Sequence, residues 1–166
     1  MRILAFDPGY GITGWGVVDE PPLTAVEYGA IETNARDKHE VRLLEIFHTS
    51  RELIARFKPS CIVVETLFVS KNAKTAGGVY ESRGVILAAC AESGTEVIEL
   101  GPTTIKKTVT GSGQATKQSV HQMVKRLLGI SQNIRPDDTA DALAGAIAGI
   151  LAAKSRMVKQ RIRSAK

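Results

Sequence analysis

Apolar positions along the chain follow two patterns, short unbroken runs and runs with helical spacing. Ile3, Leu4, Ala5 and Phe6 form an unbroken run, as expected of a strand buried on both faces. The run ends in Asp7, and a second one, Trp15-Gly16-Val17-Val18, follows a glycine-spaced turn. A third strand is expected over residues 25–31, and three consecutive strands with short links make an antiparallel meander. Over residues 38–57, Leu43, Leu44, Phe47, Ile54 and Phe57 recur at helical spacing, with Pro59 beyond the end. This helix leads to Cys61-Ile62-Val63-Val64, another unbroken run that ends in an acid, Glu65. A strand reached through a helix is most simply parallel to an earlier one, with a right-handed crossover. Pairing with the first strand would put Asp7 and Glu65 at one edge of the sheet.

The remainder reads as a loop and helix containing Phe68, Lys71, Asn72, Lys74 and Arg83, then a short strand over residues 96–100. Residues 102–117 hold Lys106, Lys107 and a Gly111-Ser112-Gly113 turn. Thr116 suits the N-cap of a helix whose apolar face is Val120, Val124, Leu127 and Leu128. The last helix begins near Pro136 and continues, small and apolar, to about residue 153. The pattern predicts an α/β domain with a mixed five-stranded sheet, three antiparallel strands followed by parallel ones, flanked by helices.

The glycine turn Gly9-Tyr10-Gly11-Ile12-Thr13-Gly14 matches the dinucleotide-binding fingerprint, but that motif needs a helix to follow, whose N-terminus holds the pyrophosphate. A strand follows instead. The glycines are therefore read as positions needing positive φ or close approach within a hairpin.

A chain of 166 residues, 43% hydrophobic and 23% charged, fits one globular domain with its own core. No stretch approaches the ~18 consecutive apolar residues of a membrane span, nor does the start resemble a signal peptide, so a cytoplasmic location is expected. Cys61 and Cys90 stand in apolar surroundings without metal-ligand spacing, as reduced core residues do. His39, His48 and His121 are isolated in the sequence. The net charge of +5 is unevenly placed: residues 154–166 carry six basic side chains and no acid, leaving 16 basic against 17 acidic residues elsewhere. This segment reads either as a solvated tail or as a tether for DNA phosphates.

Asp137, Asp138 and Asp141 open the last helix. Residues three or four apart share a helix face, so Asp141 can act with either Asp138 or Asp137. Acids in a first turn complement the helix dipole, which accounts for Asp137. Asp141 lies a turn deeper among Ala, Gly, Leu and Ile, where an unpaired charge is expensive. Two strand-end acids and a same-face pair suggest one site of about four carboxylates, which would repel one another without a cation. Oxygen ligands suit Mg²⁺ or Mn²⁺, and the lack of paired His and Cys argues against zinc. Two such metals in a carboxylate cluster activate water and stabilise the leaving oxygen in phosphodiester cleavage.

These motifs together resemble the RuvC family of bacterial Holliday junction resolvases. The resemblance is carried in order by Asp7-Pro8-Gly9 through Gly16, Val63-Val64-Glu65 with Phe68 and Lys71-Asn72, and Ile105-Lys106-Lys107-Thr108 with Gly111 through Lys117. Asp138-Thr139-Ala140-Asp141-Ala142-Leu143-Ala144 completes it. It implies a ribonuclease H-like fold, a homodimer, and symmetric Mg²⁺-dependent nicking of two opposed strands at a four-way DNA junction, two metal ions per site. It further implies that Asp7, Glu65, Asp138 and Asp141 hold the metals, with Mn²⁺ able to substitute. Phe68 would contact a base near the crossover, Lys106 and Lys117 would contact phosphates, and the RuvA-RuvB branch-migration complex would be a partner. Lys107 has no counterpart in the motif. On this reading residues 1–153 are a nuclease domain and residues 154–166 a basic tail.

Two rivals share the first acidic strand. One is a ribonuclease H-like nuclease with another substrate, such as resolvase-like proteins linked to RNA processing; the Phe68 loop and the two lysine positions weigh against it. The other is a phosphate-binding ATPase domain of the sugar-kinase and actin type, which normally needs two domains around its nucleotide and more than 166 residues.

Overall fold

The computed structural model describes residues 1–67 and 73–164. Its elements are β1 (Arg2–Asp7), β2 (Ile12–Asp19), β3 (Thr24–Glu32), α1 (His39–Phe57), β4 (Cys61–Glu65), α2 (Ala73–Ser93), β5 (Val97–Leu100), α3 (Pro102–Thr110), α4 (Lys117–Leu128) and α5 (Asp137–Ser164). The sheet runs in the order β3-β2-β1-β4-β5. β1, β2 and β3 pair antiparallel, while β4 pairs parallel to both β1 and β5. This is the expected mixed five-stranded sheet, with β1 at its centre.

Side chains alternate across a strand, and here both faces are covered. Ile3, Ala5, Cys61 and Val63 point to one core with Val120, Val124, Leu143, Ala144 and Ile147 from α4 and α5. Leu4, Phe6, Ile62 and Val64 point to the other, against Ile46, Leu53, Ile54 and Phe57 of α1 and Ile86 and Cys90 of α2. Burying each large side chain of this kind stabilises the fold by roughly 1.5–3 kcal/mol. Both cysteines are buried thiols, as expected.

Helix α5 lies very close to the sheet. A Cβ added at Gly149 would stand 2.3 Å from a methyl of Val63, and one at Gly16 would stand 2.8 Å from Leu143. The small-residue composition of α5 is therefore a packing requirement.

Three expectations need correction. Leu127 does not join the buried face of α4, which is made by Val120, Val124 and Leu128, and is 39% exposed. Leu44 does not join the α1 core: it is 52% exposed, while Arg42 is buried. The guanidinium of Arg42 lies 3.6 Å over the Tyr10 ring and donates to Tyr10 O and Thr33 Oγ1, binding α1 to the glycine turn. The last helix also does not end near residue 153 but continues to Ser164. Over residues 154–159 it has no buried face, and Lys154 and Arg156 instead pair with Glu20 and Glu96. Among the described residues no helix is long and apolar enough to cross a membrane.

Candidate active site

The parity of the two central strands places the first pair of acids. Asp7 continues the Ile3, Ala5 series and Glu65 the Cys61, Val63 series, so both project from the face that α5 covers. The pairing of β1 with β4 ends at Phe6 and Val64. Asp7 and Glu65 follow immediately, on neighbouring strands that run about 4.8 Å apart. Arg83 of α2 fixes the end of β4 by donating to Glu65 O at 3.3 Å and pairing with Glu99.

The glycine turn explains how the second pair arrives. Asp7 pairs across the sheet with Gly14, and a Cβ on Gly14 would stand 2.0 Å from Asp138 O. The first turn of α5 therefore rests on bare backbone beside Asp7. A Cβ on Gly9 would meet Ile12 O at 1.9 Å. None of the glycines at 9, 11, 14 and 16 has positive φ; at 9, 14 and 16 close approach is the operative reason, and at 14 and 16 the approaching element is α5 rather than the hairpin. Buried Thr139 donates to Gly29 O at 3.0 Å and fixes the rotation of α5. Asp137 is turned to solvent and pairs with Arg135 at 3.0 Å. The charges of Asp141 and Asp138 act on Asp7, so it is the i, i+3 pair of helix acids that the fold brings to its side.

Electrostatics reflects this crowding. Burial, and then the charges of Glu65, Asp141 and Asp138, push Asp7 up to about 8. Burial, and then the charge of Asp141, push Glu65 up to about 7, opposed by Lys106 and Lys117. A cleft of about 190 Å³ is lined by Glu65, Lys106, Lys117 and Asp141 over an apolar floor that includes Ile105, Val120 and Ala144. Lys106 reaches it from α3, and Lys107, one position on, is exposed and outside the lining. Lys117 donates to Asp141 Oδ2 at 2.8 Å. Burial works against its charge, but the hydrogen bond and the surrounding carboxylates outweigh it and raise its pKa.

Among the described residues no three His, Cys, Asp or Glu side chains are grouped tightly enough to hold a metal ion as they stand. Asp141 turns to Lys117 and His121, which take up both of its carboxylate oxygens. The donor set nonetheless fits a hard divalent cation. All four side chains offer oxygen, and the two strand acids have proton affinities raised by burial and then by the neighbouring carboxylates.

A family model described as Crossover junction endodeoxyribonuclease RuvC matches residues 3–149. The chain belongs to the RuvC family. The Crossover junction endodeoxyribonuclease RuvC of Caldicellulosiruptor saccharolyticus is 38% identical over 163 residues, covering 96% of this chain and 98% of that one. The protein of the same name from Moorella thermoacetica is 45% identical over 149 residues, covering 89% of each. Thermus thermophilus RuvC in complex with Holliday junction substrate superposes with a TM-score of 0.87 at 30% identity, covering 93% of this chain and 96% of that one. The ribonuclease H-like fold expected from the sequence is thereby shown.

In this RuvC-family chain the structure brings Asp7, Glu65, Asp138, Asp141, Lys106 and Lys117 to one edge of the sheet. Phe68, with Lys71 and Asn72, lies outside the described residues. His121, isolated in sequence, proves to be at the site: its Nε2 is 2.9 Å from Asp141 Oδ1. A signal for it was present, since His121 follows Lys117 by four positions and so shares its helix face.

Proposed function

We propose that this chain is a structure-selective endonuclease that resolves four-way DNA junctions by nicking two opposed strands, and that Asp7, Glu65, Asp138 and Asp141 hold two Mg²⁺ ions, replaceable by Mn²⁺. The observation that carries the reading is the convergence of these acids, from two strands and a helix, beside two lysines at one sheet edge. When bound, the cations would supply an activated water and neutralise charge on the scissile phosphate.

The rest is the work of side chains. Burial among other carboxylates makes Asp7 and Glu65 hold protons more tightly than free acids do, and a bound cation would take the place of those protons and stabilise both as carboxylates. Lys106 and Lys117, which line the cleft, would contact phosphates and draw the backbone into it. Phe68 is assigned to a base near the crossover, where an aromatic can stack on an unpaired nucleotide. Symmetric nicking needs two sites in fixed relation, which a homodimer supplies. RuvA-RuvB is the proposed branch-migration partner, and the cytoplasm the place of action. Residues 1–153 then make the nuclease domain and residues 154–166 a basic extension, of which residues 154–164 form the last part of α5.

The test uses a four-way junction, a linear duplex and an RNA/DNA hybrid of matched sequence, each with Mg²⁺ and with EDTA. The expected result is paired nicks in the junction alone, only with Mg²⁺, and none from Asp7→Asn, which still binds the junction. Cleavage of the hybrid, or near-normal junction cleavage by Asp7→Asn, would overturn the proposal.

A further inference from the structure

Asp141 is gripped at both carboxylate oxygens from a single helix. Lys117 Nζ lies 2.8 Å from Oδ2, and His121 Nε2 lies 2.9 Å from Oδ1. A carboxylate can only accept, so Nε2 of His121 is the donor. The grip is built into α4: Thr116 caps the helix by accepting from Ser119 N at 3.2 Å, and Val120 and Val124 are buried in the core shared with α5. Positions 117 and 121 therefore face α5 together.

The two arms differ in how firmly they are held. The His121 side chain is 19% exposed, whereas that of Lys117 is 50% exposed on a flexible four-carbon stem. The proposed function, on which this inference rests, gives Lys117 a second partner, a DNA phosphate.

We infer that His121 is a positioning residue for Asp141: with Lys117 it holds both carboxylate oxygens in the free protein, and when Lys117 moves to a DNA phosphate it keeps Asp141 in place with Oδ2 open to a divalent cation. The cation then binds more tightly to the junction complex than to the free protein, and by reciprocity the junction binds more tightly with cation present.

The test measures Mn²⁺ affinity by the electron paramagnetic resonance signal of the free ion, with and without a four-way junction protected from cleavage by phosphorothioate linkages. The wild-type protein is expected to bind Mn²⁺ several-fold more tightly with the junction. Loss of an outer partner of a metal ligand typically weakens binding 10- to 100-fold, so His121→Ala should lose about tenfold in the junction complex. Its melting temperature and its junction affinity in EDTA should stay near wild type. His121→Gln keeps an N–H donor and should recover most of the loss, whereas a purely structural role would give it none. Lys117→Gln should bind Mn²⁺ more tightly than wild type without DNA, and the junction should then add little.

Wild-type Mn²⁺ affinity in His121→Ala, or a loss not recovered by His121→Gln, would overturn the inference. Asp141→Asn separates the two levels. If it weakens Mn²⁺ binding while His121→Ala does not, only the positioning role fails; if Asp141→Asn has no effect, the proposed metal site fails with it.

Discussion

Replacing Asp7 by Asn should make the metal-free protein more stable while removing its proposed activity. The side chain is held in the folded state at a pKa of about 8 against an ordinary 3.8, through burial first and then the charges of Glu65, Asp141 and Asp138. Folding thus favours protonated Asp7. The stability this contributes is complete below pH 3.8 and lost as the pH rises through about 8. Each tenfold change in proton affinity is worth about 1.4 kcal/mol, which sets a ceiling of roughly 6 kcal/mol on the cost of ionised Asp7 at high pH. Relaxation of the neighbours and entry of water leave roughly 2–4 kcal/mol. The amide keeps the shape without the charge, so Asp7→Asn should melt about 5–15 °C higher than wild type at pH 8.5 in EDTA. The assay is thermal unfolding of both proteins from pH 4 to 9, with EDTA and with Mg²⁺. The gap should narrow as the pH falls from about 8 towards 3.8, and Mg²⁺ should raise the wild-type midpoint more than that of the variant. A variant no more stable than wild type at pH 8.5 in EDTA would refute the view of Asp7 as an uncompensated buried charge.

Three further outcomes follow from the geometry. In single-turnover cleavage across a Mg²⁺ titration, Asp138→Asn should lose orders of magnitude while Asp137→Asn, whose side chain pairs with Arg135, stays near wild type and shifts stability by no more than about 1 kcal/mol; the reverse ranking would make the i, i+4 pair the ligands. Gly14→Ala should cost roughly 2–4 kcal/mol in denaturant unfolding and most of the cleavage rate, because its Cβ would sit 2.0 Å from Asp138 O and displace α5. Removing residues 154–166 should flatten the dependence of log affinity on log salt by up to about 0.9 for each phosphate that the segment neutralises; an unchanged slope would leave Lys154 and Arg156 with only their pairs to Glu20 and Glu96.

The sequence by itself determined the strands, the antiparallel-then-parallel character of the sheet and the acids that end two of the strands, while the order β3-β2-β1-β4-β5 came from the structure. Unbroken apolar runs at Ile3–Phe6 and Cys61–Val64 can only be buried on both faces, and an acid directly after each belongs at a sheet edge. It also showed that Asp141 was too deep in an apolar helix to be a dipole-balancing charge. The tertiary structure decided what depends on elements distant in sequence. Gly14 and Gly16 are small because α5 lies on them, and no local pattern in a hairpin reports a helix more than a hundred residues away. Helical spacing left Asp137 and Asp138 equivalent; the rotation of α5, fixed by Thr139 on Gly29, separates them. Arg42 replaced Leu44 on the inner face of α1 because Tyr10 offered its ring and carbonyl. The apolar pattern that ended α5 near residue 153 marks the end of its buried face, but Lys, Arg, Gln and Met have good intrinsic helix propensity, and the helix continues to Ser164 past the core it covers. His121 looked isolated because its partner, Asp141, is on another helix and comes within 2.9 Å only when α4 packs against α5.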